Sequence, residues 1–307
     1  PGAVPLSSKR LKALTNQVRF PLVWSLGTDG RPIIAAAYLY RNQLDMYERI
    51  VCLTEETTEA LYLMEEDWRI VGISGYTVRP PRARREKPKV SAFTSAKLDQ
   101  IRDLQPDLVL GFSDLQADIA ASLIRDGVEV HVFNHRSIEG ILRTIRVLAG
   151  MIGEPRKGQR LASELEDNLS RIRQRASLFM VRPRVYFEEW NDPLISGIRW
   201  VSELIECAGG EDCFPEHSRE PLAKDRIIAD SEEVVRRSPD IIIGSWCGRK
   251  FRPDQVLARE GWDKIPAARD NNIHEIKSPL ILQPGPAALT DGVGAIHQYI
   301  QNWVTAQ

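Results

Sequence analysis

Short apolar runs alternate with longer amphipathic segments from Arg49 onward. The runs are RIVCL (49–53), RIVGIS (69–74), PDLVLGF (106–112) and VEVHVF (128–133). Between them lie segments such as TEETTEALYLMEED and ADIAASLIRDG, which have the helical period. Runs of this length that are rich in Val, Ile and Leu are typical of strands buried on both faces. The pattern therefore predicts a β-α-β-α lobe with a parallel sheet.

A second set of the same kind begins after residue 180. Its strand-like runs are RPRVYFEEW (182–190), SPDIIIGSW (238–246) and NNIHEIKS (271–278), and the segments GIRWVSELIECAGG and SEEVVRRSPD have the helical period. Between the two sets, residues 154–176 place Pro155 in the first helical turn and an apolar stripe after it, formed by Leu161, Leu165, Leu169 and Ile172. We expect two α/β lobes joined by one long backbone helix. The alternative is an ordinary surface helix in a single domain.

The predicted organisation has four parts. They are an N-terminal extension (1–48), an N-terminal α/β lobe (49–136), a helical connection that includes the backbone helix (137–177) and a C-terminal α/β lobe (178–307). In the extension, the apolar stretch FPLVWSLGTDGRPIIAAAYLY is interrupted by a turn signal around Asp29-Gly30. This interruption predicts a hairpin and is too polar for a membrane span. No function is indicated for the extension.

Composition and charge exclude several classes of function. The chain has 307 residues, of which 43% are apolar, and a net charge of −1, so it can bury a large core and has no long-range attraction for nucleic acid. Its four cysteines form no C-x-x-C pair, which gives no indication of zinc and leaves a disulfide open. The sequence contains no Gly-x-Ser-x-Gly elbow, phosphate-binding loop or dinucleotide fingerprint. These absences argue against the corresponding classes of enzyme, and no catalytic cofactor is expected.

Several polar and aromatic residues follow the predicted strands directly. In parallel α/β sheets, ligands bind at the carboxyl ends of the strands, so these residues are candidates to line one opening. His135 also follows a strand, but a lone histidine is more often a hydrogen-bonded structural residue than a metal ligand, and no metal site is expected. The candidates for ligand binding are Glu55, Glu56, Tyr76, Arg79, Phe93, Phe112, Trp190, Ser196 and Trp246.

The order of these segments resembles a known family. RIVCLTEETTEALYLMEEDWRIVGISGYTVRPP, KLDQIRDLQPDLVLG, GVEVHVFN, GGEDCF, SEEVVRRSPDIII and GWDKIPAARDNNIHEI occur in the order found in the helical-backbone metal-chelate receptors. These are solute-binding proteins of ABC importers for vitamin B12, haem and iron-siderophores, and the similarity covers residue 49 to about residue 303. The resemblance implies a two-lobed, non-catalytic, monomeric protein with a ligand between its lobes. It also implies a periplasmic or lipid-anchored location, with the cytoplasm as the alternative.

The loop after the second strand carries the resemblance to the cobalamin-binding members. Their Y-x-D-Y-P-P pattern is similar to residues 76–81 here, where Tyr76 matches and Val78-Arg79 replace the Asp-Tyr pair. The two prolines stiffen this loop, and Arg79 is expected at the cleft mouth, where its fork suits carboxylates, phosphates or catecholates. The resemblance thus implies cobalamin or another corrinoid as the first ligand and a ferric siderophore or haem as the second. A cofactor-holding or soluble binding protein without a transporter is a further alternative.

The resemblance also implies a partner. Members of the family dock on transmembrane subunits through one exposed acidic residue in each lobe. The matching positions here are Asp118 in LQADIAASL and Glu232 in ADSEEVV. A carboxylate in the first turn of a helix is also stabilised by the helix dipole, so simple capping is the alternative for both residues.

Overall fold

The computed structural model describes residues 47–307, which belong to one compact unit. The expected hairpin around Asp29-Gly30 and almost all of the N-terminal extension lie outside the described residues. Within residues 47–307, no helix is both long enough and apolar enough to cross a membrane.

The first lobe is built around a five-stranded sheet in which every pairing is parallel, with strand order β3-β2-β1-β4-β5. The two central strands β1 and β4 are completely buried, which explains their uninterrupted apolar sequences. The strands are β1 Ile50–Cys52, β2 Ile70–Ser74, β3 Lys89–Ser91, β4 Leu108–Phe112 and β5 Val130–Phe133. The helices are α1 Glu55–Leu63, α2 Ala83–Glu86, α3 Leu98–Asp103 and α4 Ala117–Arg125.

Two antiparallel helices, α5 Ile138–Met151 and α6 Pro155–Ala176, connect the lobes. The apolar stripe predicted for α6 is confirmed, because Leu161, Leu165, Leu169 and Ile172 are all buried. Gly158 lets the two helices approach closely, since a Cβ atom at this position would lie 2.2 Å from the Ala149 Cβ. Both helices share one apolar core with strands of the two sheets, so the connection is packed along its length.

The second lobe contains a mixed five-stranded sheet. Strand β6 pairs in parallel with β8 and β9 and in antiparallel with β7, and β9 pairs in parallel with β10. The sequence pattern did not predict β3, β7 or β8, because their sequences KVS, LIS and ED lie in no longer apolar or alternating run, whereas the equally short β1 and β10 do. The strands are β6 Arg184–Asn191, β7 Leu194–Ser196, β8 Glu211–Asp212, β9 Ile241–Gly244 and β10 Ile273–Glu275. The helices are α7 Arg199–Ala208, α8 Glu232–Arg237, α9 Pro253–Leu257 and α10 Pro266–Arg269.

The C-terminal segment returns to the first lobe. After α11 Ser278–Ile281, the Ala287 amide donates to Glu59 Oε2 at 3.1 Å. A π-helical turn, Ala288–Gly292, then leads into α12 Val293–Thr305. The backbone helix is therefore not the only connection between the lobes, and residues late in the chain help to shape the first lobe. The lobe boundaries drawn from the sequence stay a prediction.

Gly285 is the point where this segment approaches α1 most closely. A Cβ atom at Gly285 would lie 2.5 Å from the Glu56 Cβ and 3.1 Å from the Glu56 Cα, and the latter is backbone that cannot rotate away. We expect Gly285→Ala to lower the free energy of unfolding by about 1–3 kcal/mol, as overpacking does. Urea unfolding followed by circular dichroism measures this change. Gly294→Ala is the control, because a Cβ there meets nothing within 4 Å; equal stability of both variants would contradict the packing described here.

Candidate ligand-binding cleft

The carboxyl ends of the strands in the two lobes face each other. Arg136, which follows β5, donates from Nε to the Pro221 carbonyl of the second lobe at 3.1 Å. Burial raises the pKa of the Cys247 thiol after β9, and the charges of Glu189 and Glu55 add to this effect. The hydrogen bond between Arg136 and Pro221 brings a strand-end loop of the first lobe against the second lobe, as a cleft between strand ends requires.

Three of the expected aromatic residues present accessible surface near these strand ends. The Tyr76 side chain is 57% exposed, and Phe93 is partly buried. Trp190 lies at the end of β6, partly buried, and its Nε1 donates to the Asp192 carbonyl at 2.9 Å. These three residues, two in the first lobe and one in the second, stay candidates to line the cleft.

Two other expected aromatic residues lie in the cores of the lobes. Phe112 is 6% exposed, with the His135 ring edge-on to it and the Arg136 guanidinium over it. Trp246 is 3% exposed and donates from Nε1 to Glu188 Oε1 at 2.9 Å. The indole faces inward because its N–H finds this buried acceptor. Such burial conflicts with the expectation that these rings line the cleft and makes them supports for the loops beside it.

Arg79 was expected to bind ligand oxygens at the cleft mouth, but it is paired with two carboxylates of the protein itself. It donates from Nε to Glu59 Oε1 at 2.7 Å and from Nη1 to Asp291 Oδ2 at 2.7 Å. Although partial burial opposes it, these two carboxylates raise the pKa of the guanidinium. Arg79 thus joins the loop after β2 to the C-terminal segment, and its charge is already balanced without a ligand.

Glu55 and Glu56 form the acidic floor, a name we use for these two residues at the start of α1. Glu55 accepts from the Val78 amide at 3.1 Å, and Glu56 accepts from the Thr54 hydroxyl through Oε1. Glu56 Oε2 is buried and has no hydrogen-bond partner within the described chain. Burial raises the pKa of both carboxyl groups to about 7, although these hydrogen bonds act in the opposite direction. Near neutral pH, each carboxyl group can therefore donate as well as accept a hydrogen bond. Glu55 and Glu56 are as buried as Phe112 and Trp246, so their burial likewise conflicts with the expectation that they contact a ligand and places them beneath the cleft surface.

Ser196 was expected to bind ligand, but it makes its hydrogen bonds inside the second lobe. It is buried, its Oγ lies 3.0 Å from His217 Nδ1, and it donates to the Arg226 carbonyl at 3.3 Å. Arg226 in turn makes a bidentate ion pair with Glu189, at 2.6 Å and 3.2 Å. Sequence reasoning did not identify Glu189. The signal was the charged pair Glu188-Glu189 at the end of a buried strand, where apolar residues are the norm.

His135 is a structural residue in this arrangement. Its Nδ1 lies 3.0 Å from Thr144 Oγ1 and its Nε2 lies 3.2 Å from the Pro284 carbonyl. Burial lowers the pKa of the imidazole to about 4, so the ring is neutral at physiological pH. Nowhere in residues 47–307 do three or more His, Cys, Asp or Glu side chains converge to hold a metal ion. The four cysteines are free thiols, and Cys247 alone is exposed.

Both expected docking residues occupy exposed positions at helix starts. Asp118 lies in the first turn of α4. Glu232 is the first residue of α8, and its carboxylate lies 3.6 Å from Arg236 Nη1. The placement fits either docking or capping, so the docking role stays a prediction.

Two α/β lobes, one backbone helix and a cleft between strand ends define a two-lobed solute-binding protein of the helical-backbone class. The chain belongs to the periplasmic binding protein family, whose family model matches residues 50–280. This match confirms the resemblance to the metal-chelate receptors seen in the sequence, and the fold expected from it is confirmed as well.

Named relatives and solved structures support the same class. The vitamin B12-binding protein of Vibrio parahaemolyticus is 26% identical over 245 residues, covering 79% of this chain and 86% of that protein. The periplasmic vitamin B12-binding protein BtuF of Vibrio cholerae superposes with a TM-score of 0.68 at 20% identity, covering 85% of this chain and 99% of the other. The periplasmic heme-binding protein RhuT of Roseiflexus sp. RS-1 has a TM-score of 0.70 at 25% identity, with 83% and 99% covered.

The raised pKa of Glu56 predicts how stability depends on pH. A carboxyl group whose pKa is higher in the folded state contributes stability that is present below about pH 4.3 and is lost as the pH rises through about 7. Glu56→Gln removes the buried charge, so we expect the variant to be more stable than wild type by about 2–3 kcal/mol above pH 8 and nearly equal at about pH 4. Urea unfolding across this range measures the difference.

Glu164→Gln, on the exposed face of α6, serves as the control and should follow the wild-type curve at every pH. Parallel wild-type and Glu56→Gln curves would show that Glu56 stays ionised throughout.

Proposed function

We propose that the protein is the solute-binding component of an ABC importer and that it carries a corrinoid, with cobalamin as the lead ligand, to a transmembrane permease. The observation that supports this proposal is the pairing of accessible aromatic surface from both lobes across one cleft, supplied by Tyr76 and Phe93 on one side and Trp190 on the other. Flat macrocycles gain dispersion and apolar burial from such surfaces. The protein then acts outside the cytoplasmic membrane, as a carrier and not as an enzyme.

The polar groups of the cleft favour a ligand that is rich in amides. Arg79 is neutralised by Glu59 and Asp291, whereas no ion pair involves Glu55 in residues 47–307. A ligand with several carboxylates would be disfavoured by the negative charge that the acidic floor can carry beneath the cleft, whereas uncharged amide groups would not be. The periphery of a corrinoid carries such amides.

A ferric siderophore or haem is the second candidate. The observation in its favour is a cationic side chain at the cleft, since Arg249 lies over the Trp190 ring at 4.9 Å. Charged oxygens of a chelate would find a donor there. A cofactor-holding or soluble binding protein that acts without a permease is the remaining alternative, and the transport assay below distinguishes it.

Calorimetric titration with cobalamin, haem and a panel of ferric siderophores tests the ligand. We expect one binding site for cobalamin and weaker or no binding of the others. Because Cys247 is the exposed thiol and lies at the cleft, bound ligand should also slow its alkylation by a maleimide.

The control for this footprint is Cys247→Ser, which should leave no rapidly labelled cysteine in the folded protein while still binding cobalamin. Absence of heat with every ligand would refute the chelate proposal. Binding without protection of Cys247 would place the ligand outside this cleft.

The expected partner can be tested separately from the ligand. The double charge reversal Asp118→Lys with Glu232→Lys changes two exposed helix starts, so ligand affinity should stay intact while transport by vesicles containing the permease falls. We expect a loss of at least about tenfold in transport rate, since each reversal replaces an attractive contact by a repulsive one. The matched control is Glu164→Lys with Asp167→Lys on α6. Transport at the wild-type rate would mean that the two carboxylates only cap their helices.

A further inference from the structure

Within residues 47–307, Arg249 differs from Arg79, Arg136 and Arg226 in having no carboxylate partner. Arg79 pairs with Glu59 and Asp291, and Arg226 pairs with Glu189. Arg136 lies 3.5 Å from Asp114. Within residues 47–307, the contact recorded for the exposed Arg249 guanidinium is with an aromatic ring, the Trp190 indole, whose centroid lies 4.9 Å from Cζ. One charge at the cleft is therefore positioned but not neutralised.

The protein holds both members of this pair in place. The Trp190 ring packs against the core of the second lobe, and its Nε1 donates to the Asp192 carbonyl. Arg249 closes a turn after β9, in which its amide donates to the Trp246 carbonyl at 3.2 Å and Gly248 takes a positive φ of 72°. Buried Trp246 anchors this turn through Glu188. Hydrogen bonds and packing therefore hold both the backbone of Arg249 and the indole ring beneath its guanidinium in place.

The loop that carries Arg249 follows the carboxyl end of β9, and Trp190 lies at the carboxyl end of β6, which pairs with β9 in parallel. Both residues therefore stand at the edge of the sheet where parallel α/β folds bind their ligands. Stacking on an indole uses the face of the guanidinium and leaves its N–H edges free, so the fork can still donate two hydrogen bonds to one anion. Because the carboxylate of Glu189 lies beside Trp190 at the same strand end, the arrangement suits a ligand with a single anionic group on an otherwise uncharged periphery.

We propose that Arg249, held on Trp190, binds the phosphodiester of the nucleotide loop of a complete corrinoid and so distinguishes cobalamin from cobinamide, which lacks that loop. This inference rests on the proposed function and adds a specificity-determining residue to it. Trp190 is then a positioning residue as well as an aromatic surface for the macrocycle.

The test compares two ligands and two variants by calorimetry. Arg249→Gln should weaken cobalamin binding by about tenfold, the usual value of a charge-assisted hydrogen bond, and should change cobinamide binding by less than about twofold. Arg252→Gln is the control, since Arg252 is equally exposed but already pairs with Asp254 at 2.9 Å. It should affect neither ligand. The cobalamin affinity of wild type should also fall with added salt more steeply than that of Arg249→Gln.

A mutant cycle tests the role of Trp190. Trp190→Leu should weaken both corrinoids through lost aromatic contact, and cobalamin more than cobinamide because Arg249 loses its platform. In the double variant with Arg249→Gln, the preference for cobalamin over cobinamide should not fall below that of Arg249→Gln alone.

The possible outcomes separate this inference from the proposed function. If neither corrinoid binds wild type, the proposed function fails. If both bind and Arg249→Gln weakens them equally, or weakens neither, the phosphate assignment is wrong while the function stands. If haem binds instead and Arg249→Gln weakens it, the anion is a carboxylate and the inference is overturned.

Discussion

The fixed separation of the two strand-end edges is the constraint on which the whole cleft depends. Helix α6 buries one apolar stripe along its full length, and Gly158 brings it close to α5, so the connection cannot slide without opening a packed core. The C-terminal segment adds a second connection through Ala287, which donates to Glu59. A cleft held in this way is preorganised and loses little conformational entropy when a ligand enters. The same rigidity means that its opening angle changes little on binding.

Strand β6 shows how neighbouring residues divide structural and binding roles. Successive side chains of a strand point to opposite faces, so Glu188 lies in the core whereas Glu189 is only partly buried on the other face. Each has a bidentate arginine partner, Arg259 for Glu188 and Arg226 for Glu189. A buried carboxylate tolerates neither the loss of its partner nor a different geometry. The ion pair of Glu188 therefore fixes Trp246 and the loop after it. That loop carries the exposed residues Cys247 and Arg249.

The periodicity of the sequence was sufficient to predict most of the strands and helices, but it could not predict the orientation of single side chains. The strands that lie in longer apolar or alternating runs and the stripe of α6 follow from apolar spacing, whereas β3, β7 and β8 lie in no such run. The position of Trp246 after a strand was correctly identified, but its inward orientation depends on Glu188, which no local pattern reveals. Arg79 is a similar case. Its partner Asp291 lies 212 residues away, and only the return of the C-terminal segment brings the two together.

Rigidity and charge together determine how this cleft can take up and release a ligand. A hinge that scarcely moves cannot expel a bound molecule by itself, so release requires a force from outside, such as a partner that pulls the lobes apart. The acidic floor lies where α1 meets the C-terminal segment, next to Gly285. Separating the lobes there would admit water to Glu55 and Glu56, remove the burial that raises their pKa and favour their ionised forms. Ionisation would then add negative charge beneath the cleft at the moment of opening, so that separation of the lobes and repulsion of the anionic group proposed for the ligand would act in the same direction.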